Sequence, residues 1–264
     1  VISVDTNGVE TIYKEWTTDG TGVTVIAAIP AGEYILRELT APNGYIVAEE
    51  IEFTVNVDGT LTSTASSDGK TVVMKDDVTK LTISKKDITD SEELEGAVLT
   101  IRDEKGETVA TWTSTKTPKY IEKIPVGKYT LTEETAPEGY VKAETISFEI
   151  KATGEMQTVS MVDDVTKVRI SKTDITGTKE LAGARLQVII PGTQETIYEE
   201  WTSTNTPHMI EKLPVGEYIL RETTAPNGYL VAEDVKFTVT ETEEIQTVEM
   251  RDAHNEIFIS KTAI

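Results

Sequence analysis

The chain has 264 residues, with 25 Lys and Arg against 46 Asp and Glu, and a formal net charge of -21. That balance argues against nucleic acid and an anionic membrane surface as partners, and no apolar run is long enough to cross a bilayer. Cysteine is absent, so neither disulfides nor thiol chemistry is available. Hydrophobic residues make up 38% of the chain and aromatics 6%; with abundant threonine, this composition suits strands and turns. The first residue is Val rather than Met, which reads as a processed or excised segment.

Taken in chain order, the sequence repeats itself. Residues 10–13 (Glu-Thr-Ile-Tyr) match residues 195–198 without a gap. Val1 therefore aligns with Leu186, and the first unit enters partway through the pattern. It continues through Trp16, Tyr34, a long hairpin over residues 58–70, and a closing strand with Val72, Met74 and Asp76. The second unit opens with the strand at residues 78–88. It then runs through Leu94-Glu-Gly-Ala, Trp112, Pro125-Val-Gly, Ala136-Pro-Glu-Gly-Tyr and Phe148 to residues 158–163. The third repeats that order: residues 165–175, Glu180-Leu-Ala-Gly-Ala, Trp201, Pro214-Val-Gly, Ala225-Pro-Asn-Gly-Tyr, Phe237 and residues 247–252. Trp112 and Trp201 stand 89 residues apart, as do Lys172 and Lys261. This is a domain-sized period.

Apolar and polar residues alternate along short segments, Pro and Gly mark turns between them, and no stretch has a helical period. About seven strands per unit predict an all-β fold of tandem immunoglobulin-like β-sandwich domains. The expected divisions are residues 1–78, a unit lacking its first strand; 79–165 and 166–254, two complete units; and 255–264, a surplus first strand. The third unit follows the second without a flexible linker, which predicts a stiff linear array.

Strand alternation singles out one set of polar residues. On the opening strands, Lys85 follows Leu81 and Ile83 on the apolar face, Lys172 follows Val168 and Ile170, and Lys261 follows Ile257 and Ile259. On the closing strands Asp76, Asp163 and Asp252 end the inward rows. On the strand before the Ala-Pro loop, Glu38, Glu133 and Glu222 do the same. Each complete unit thus directs one Lys, one Asp and one Glu inward. Alternation turns Lys86, the neighbour of Lys85, outward.

Three readings of this set are open: strand-end groups in water, a buried ion-pair network, or an amide formed by attack of the lysine amine on the Asp carboxyl. Ion pairs are the commonest use of such groups. The amide has its own chemical logic. Burial disfavours charge, which frees an amine as nucleophile and keeps a neighbouring Glu protonated to polarise the Asp carbonyl. Fixed positioning would supply most of the remaining help.

The motifs Ile-Ser-Lys-x-Asp-Ile, Glu-Leu-x-Gly-Ala, Pro-Val-Gly-x-Tyr, Glu-x-x-Ala-Pro-x-Gly-Tyr and Val-x-Met-x-Asp, in this order, resemble the collagen-adhesin B-type (pilin SpaA-type) repeats of Gram-positive surface proteins. The resemblance covers the whole chain. It implies a prealbumin-like, reverse immunoglobulin sandwich and a Lys–Asp isopeptide bond assisted by Glu, made by Lys85, Asp163 and Glu133 in the second unit and by Lys172, Asp252 and Glu222 in the third. In the first unit Asp76 and Glu38 match but no lysine precedes them; residues 256–264 are expected to fill the first-strand groove of a next unit by β-strand addition, either a later repeat of a longer array or the first unit of another chain, with Lys261 bonding to Asp76 there.

Other signals carry less. No calcium-loop spacing is present, and His208 and His254 form no zinc motif, so no metal or cofactor is expected. The glycines occupy turns rather than a phosphate loop. Trp16, Trp112 and Trp201 recur at one repeat position and read as core or strand-face residues. With two histidines no Ser/His/Asp order is credible. The expected role is a structural stalk or fibre segment of an extracellular, cell-surface adhesin or pilus, not a turnover enzyme. Its expected partners are neighbouring repeats or identical chains, head to tail. The alternative is an adhesin module whose sandwich loops bind a host or matrix ligand, with the Lys, Asp and Glu sets as ion pairs.

Overall fold

The computed structural model describes residues 1–20, 22–89 and 92–262. The last two residues of the expected surplus strand, Ala263 and Ile264, fall outside them. Among the described residues there is no helix. The first repeat contributes β1 (Ile2–Val4), β2 (Glu10–Ile12), β3 (Gly32–Leu36), β4 (Tyr45–Ile46), β5 (Ile51–Val55), β6 (Leu61–Thr62) and β7 (Asp77–Val78). The second contributes β8 (Lys80–Asp87), β9 (Val98–Asp103), β10 (Thr108–Thr113), β11 (Lys119–Glu122), β12 (Gly127–Thr135), β13 (Tyr140–Val141), β14 (Ile146–Ile150) and β15 (Met156–Val165). The third contributes β16 (Lys167–Asp174), β17 (Arg185–Ile190), β18 (Thr196–Thr202), β19 (His208–Glu211), β20 (Gly216–Thr224), β21 (Val235–Val239) and β22 (Ile245–Asp252).

The chain forms two compact units that do not coincide with the sequence repeats. One holds residues 1–82, 120–129 and 148–159; the other holds residues 83–119, 130–147 and 160–264. The third repeat lies wholly in the second unit and shows the sandwich directly. Its strands form a sheet of order β19-β16-β22 and a sheet of order β18-β17-β20-β21. β16 and β22 pair in parallel, whereas β17, β18, β20 and β21 pair antiparallel. Val168, Ile170 and Met250 from one sheet close on Leu186, Val188, Leu220 and Val239 from the other, all buried in one core. The alternation that marked these residues is the strand period of two, which sends every second side chain inward.

A tyrosine recurs at the start of each central strand. The hydroxyls of Tyr34, Tyr129 and Tyr218 donate to the carbonyls of Pro30, Pro125 and Pro214, four residues earlier, at 2.9, 2.7 and 2.8 Å. Each pins the Pro-x-Gly turn to its own strand and satisfies a buried phenol.

The successive repeats are joined by a joint built twice in the same way, once within each compact unit. Thr79 donates its backbone N–H to Gly44 O at 3.1 Å and its hydroxyl to Ile124 O at 2.6 Å. Thr166 does the same to Gly139 O at 3.0 Å and to Leu213 O at 2.6 Å. The amino groups of Lys123 and Lys212 lie over the rings of Tyr45 and Tyr140, each 4.8 Å from the centroid. Gly44 and Gly139 both have φ +82°, and an added Cβ would lie 2.6 and 2.8 Å from the carbonyl carbons of Lys123 and Lys212. The equivalent Gly228 has φ +90° with nothing near its Cβ position. Gly228→Ala is therefore expected to cost only backbone strain, about 1–3 kcal/mol. Gly139→Ala adds a clash worth about 1–3 kcal/mol more. Urea unfolding midpoints of the two variants would check the difference.

Two expected strands are not formed. In the first repeat residues 72–76 are not extended into a sheet, and residues 256–262 likewise carry no strand. The reason is shared: in the third repeat the closing strand β22 is held by the opening strand β16. Among the described residues no strand lies beside residues 72–76, and a strand without a partner leaves its backbone groups to water. Val72 nevertheless packs against the first-repeat core of Val1, Tyr34, Phe53 and Val55, beside Trp16.

Candidate functional site

The parallel register of β16 and β22 puts Lys172 opposite Met250 and Asp174 opposite Asp252. Lys172 therefore reaches Asp252 diagonally along one sheet. Glu222 comes from β20 in the facing sheet, where it pairs with Leu186. The site is thus assembled across the sandwich, at the end of its core. Lys172 is 2% exposed, and the side chains of Glu222 and Asp252 are fully buried.

The geometry is simple. Lys172 Nζ donates to Asp252 Oδ1 and lies 3.0 Å from Glu222 Oε1. Glu222 Oε2 accepts the backbone N–H of Ala232 at 2.7 Å. That bond ties the carboxylate across the Ala-Pro loop. Glu222 Oε1 and Asp252 Oδ2 are buried and take part in no hydrogen bond. The second repeat has the same arrangement. Lys85 Nζ, also 2% exposed, donates to Asp163 Oδ1 and lies 3.0 Å from Glu133 Oε1. Ala143 N–H donates to Glu133 Oε2 at 2.8 Å, and Glu133 Oε1 and Asp163 Oδ2 take part in no hydrogen bond.

Two carboxyls around one ammonium, all out of water, cannot comfortably carry three charges. Burial therefore favours the neutral form of a carboxyl in each set. Burial pushes the Asp163 carboxyl up to about 7 against the pull of Lys85, with Glu133 adding to the rise. In the other set burial raises Glu222, against the Ala232 N–H and Lys172. A neutral carboxyl touching an amine, with a second carboxyl alongside, is the arrangement that amide formation requires. Buried polar atoms without hydrogen bonds are rare in folded proteins, and here they recur at the same two positions in both sets.

The first repeat holds two of the three groups. Glu38 Oε2 accepts the Ala48 N–H at 2.8 Å, and Asp76 is half-buried. Lys261 is exposed, in a segment whose Ile257, Phe258 and Ile259 are 85%, 91% and 92% exposed. Lys86 is half-buried and outside the Lys85 set. Among the described residues no group of His, Asp and Glu is arranged to hold a metal ion. His208 stacks on Trp201 and contacts Glu199 Oε1 at 2.7 Å, and His254 lies tilted against the Tyr229 ring. Sequence patterning missed the alanine N–H groups and a second pair of glutamates, Glu93 and Glu180, whose carboxylates accept the backbone N–H of Lys85 and Lys172.

Fold and site together define a class: prealbumin-like β-sandwich repeats in tandem, in which each complete repeat buries a lysine between two carboxyls. The chain belongs to the SpaA prealbumin-like fold domain family, whose model matches residues 1–70, 79–165 and 166–254. Among solved structures, the chain is similar to the Bacillus anthracis TIE protein, at 29% identity over 85% of this chain and 42% of that one, with a TM-score of 0.48. It is also similar to a streptococcal ancillary pilin, at 20% identity over 85% of this chain and 76% of that one, with a TM-score of 0.32. A third similar structure is the shaft pilin SpaA of Lactobacillus rhamnosus GG, at 13% identity over 69% of this chain and 98% of that one, with a TM-score of 0.33. The chain spans less than half the length of the TIE protein. No curated protein matches it.

Proposed function

We propose that this chain is a load-bearing shaft segment of an extracellular adhesin or pilus, whose complete repeats close themselves with Lys–Asp isopeptide bonds. The observation that carries this reading is the contact between a buried lysine amine and a buried Asp carboxyl beside a buried Glu, found in two repeats. Family membership supports it.

In the proposed reaction Lys172 Nζ attacks Asp252 Cγ. Glu222 holds a proton on the Asp carboxyl oxygen, takes a proton from the attacking nitrogen and delivers it to the departing hydroxyl. The Nζ–Cγ bond forms, a Cγ–O bond breaks, and one water leaves. No oxidant or cofactor enters the balance. Lys85, Asp163 and Glu133 react in the same way. The amide stays within the chain, so each set works once. The bond joins the first and last strands of a repeat, and a pull on the termini then passes through the amide rather than through the core. The expected mass signature is the loss of one water for each set.

The first repeat extends the reading to partners. Among the described residues no lysine is set against its Glu38 and Asp76, its Trp16 Nε1 is buried without a hydrogen bond, and residues 256–262 expose a row of apolar side chains. In this reading residues 256–261 of one chain add to the first repeat of the next, head to tail. The β16–β22 register would then set Lys261 opposite Met74 and within reach of Asp76. Concentrated protein is expected to give a ladder of species on a denaturing gel, and Lys261→Ala to abolish it. Only monomer, in protein whose internal bonds have formed, would overturn head-to-tail closure.

A further inference from the structure

Glu93 and Glu180 lie outside the Lys, Asp and Glu sets, just before the Gly-Ala turn, and both are half-buried. Glu180 Oε2 accepts the backbone N–H of Lys172 at 3.1 Å, and the N–H of the next residue, Leu181, donates to Lys172 O at 2.7 Å. Glu93 Oε2 accepts the N–H of Lys85 at 2.9 Å, and Leu94 N–H donates to Lys85 O at 2.6 Å. The Ser84 hydroxyl donates to the other oxygen of Glu93. In both repeats one Glu-Leu dipeptide grips both backbone groups of the buried lysine.

Sheet topology explains why the grip is needed. On the side away from β22, β19 pairs with β16 only from Lys167 to Ile170. Beyond Ile170 no strand among the described residues lies beside that edge, and the isolated bridge between Thr173 and Glu180 takes its place. Lys86 and Glu93 form the matching bridge in the second repeat. A backbone N–H left unpaired at a buried position is costly, and a lysine whose backbone can drift carries its amine away from the Asp carboxyl.

We infer that Glu93 and Glu180 are positioning residues for amide formation: each pins the backbone of the lysine so that Nζ meets the Asp carboxyl in register. The inference rests on the isopeptide reading above. A displacement of about 1 Å at a reacting centre can slow a reaction about a hundredfold, so the pin is expected to appear as a rate.

The test follows the mass of newly made full-length chain over time, by cell-free synthesis and denaturing mass spectrometry, in a Lys85→Ala background that leaves only the third-repeat bond to form. Glu180→Ala is expected to lose its water about tenfold to a hundredfold more slowly than the background chain. Glu180→Gln keeps an oxygen that can accept the Lys172 N–H, and is expected to close at close to the unmodified rate. Adding Glu222→Gln holds the repeat unbonded. Comparing melting of the Glu180→Ala and Glu180 forms in that background reads folding alone, and both are expected to be folded at the assay temperature. Closure of Glu180→Ala at the unmodified rate, failure of Glu180→Gln to rescue, or an unfolded Glu180→Ala form would each overturn the pin. If the unsubstituted chain keeps its full sequence mass, the isopeptide reading falls and takes the pin with it. If that chain is two waters short and Glu180→Ala closes at the unmodified rate, the pin alone falls.

Discussion

Under denaturing conditions the intact chain is expected to weigh two waters less than its sequence, Lys85→Ala and Lys172→Ala one water less, and the double variant its full mass. The expectation follows from two independent copies of one geometry. In each, the amine is in hydrogen-bond contact with the Asp carboxyl and the Glu lies 3.0 Å from the same nitrogen. The lysines are all but removed from water. An exposed pair would exchange partners with solvent and stay ionised; here burial raises a carboxyl beside each lysine, Asp163 in one set and Glu222 in the other. Denaturation breaks ion pairs but not amides, so the mass separates the two readings without reference to the fold. A full-mass chain would leave the Lys, Asp and Glu sets as buried ion-pair networks.

The second large effect concerns stability. Glu222→Gln replaces a carboxyl with an amide of nearly the same shape and removes the proton carrier. The third repeat is then expected to fold but to remain unbonded. Lys172→Ala is a poorer comparison, because it strands buried carboxyls and destabilises for a second reason. The amide would close a loop between residues 80 apart in sequence. By analogy with a disulfide closing such a loop, its loss costs about 4–5 kcal/mol. For a domain of this size each kcal/mol moves the melting point by about 4–8 °C. Calorimetry is therefore expected to show one transition shifted down by upward of about 15 °C in Glu222→Gln, with the remainder of the profile retained. An unshifted profile together with a one-water gain in mass would mean that the bond carries no thermodynamic load.

The two copies differ in one informative way. Burial raises Asp163 in one set and Glu222 in the other. The shared property is that burial favours the neutral form of one carboxyl beside the lysine.

Strand alternation and repeat spacing were enough to place Lys85, Lys172, Asp163, Asp252, Glu133 and Glu222 on inward faces, because the strand period of two is local and any tertiary context must respect it. The all-β class and the tandem organisation came from the same information. What the chain order could not disclose is set by neighbours. Residues 72–76 and 256–262 have the pattern of strands and are not strands, because a strand exists only when another supplies its hydrogen bonds. The alanine N–H groups that hold Glu133 and Glu222, the threonines of the repeat joints and the grip of Glu93 and Glu180 are backbone contacts, which side-chain pattern does not encode. Sequence alone determined which side chains face inward. Only the tertiary structure decided that a lysine and an Asp 80 residues apart, on parallel strands, meet a Glu from the opposite sheet where water is excluded.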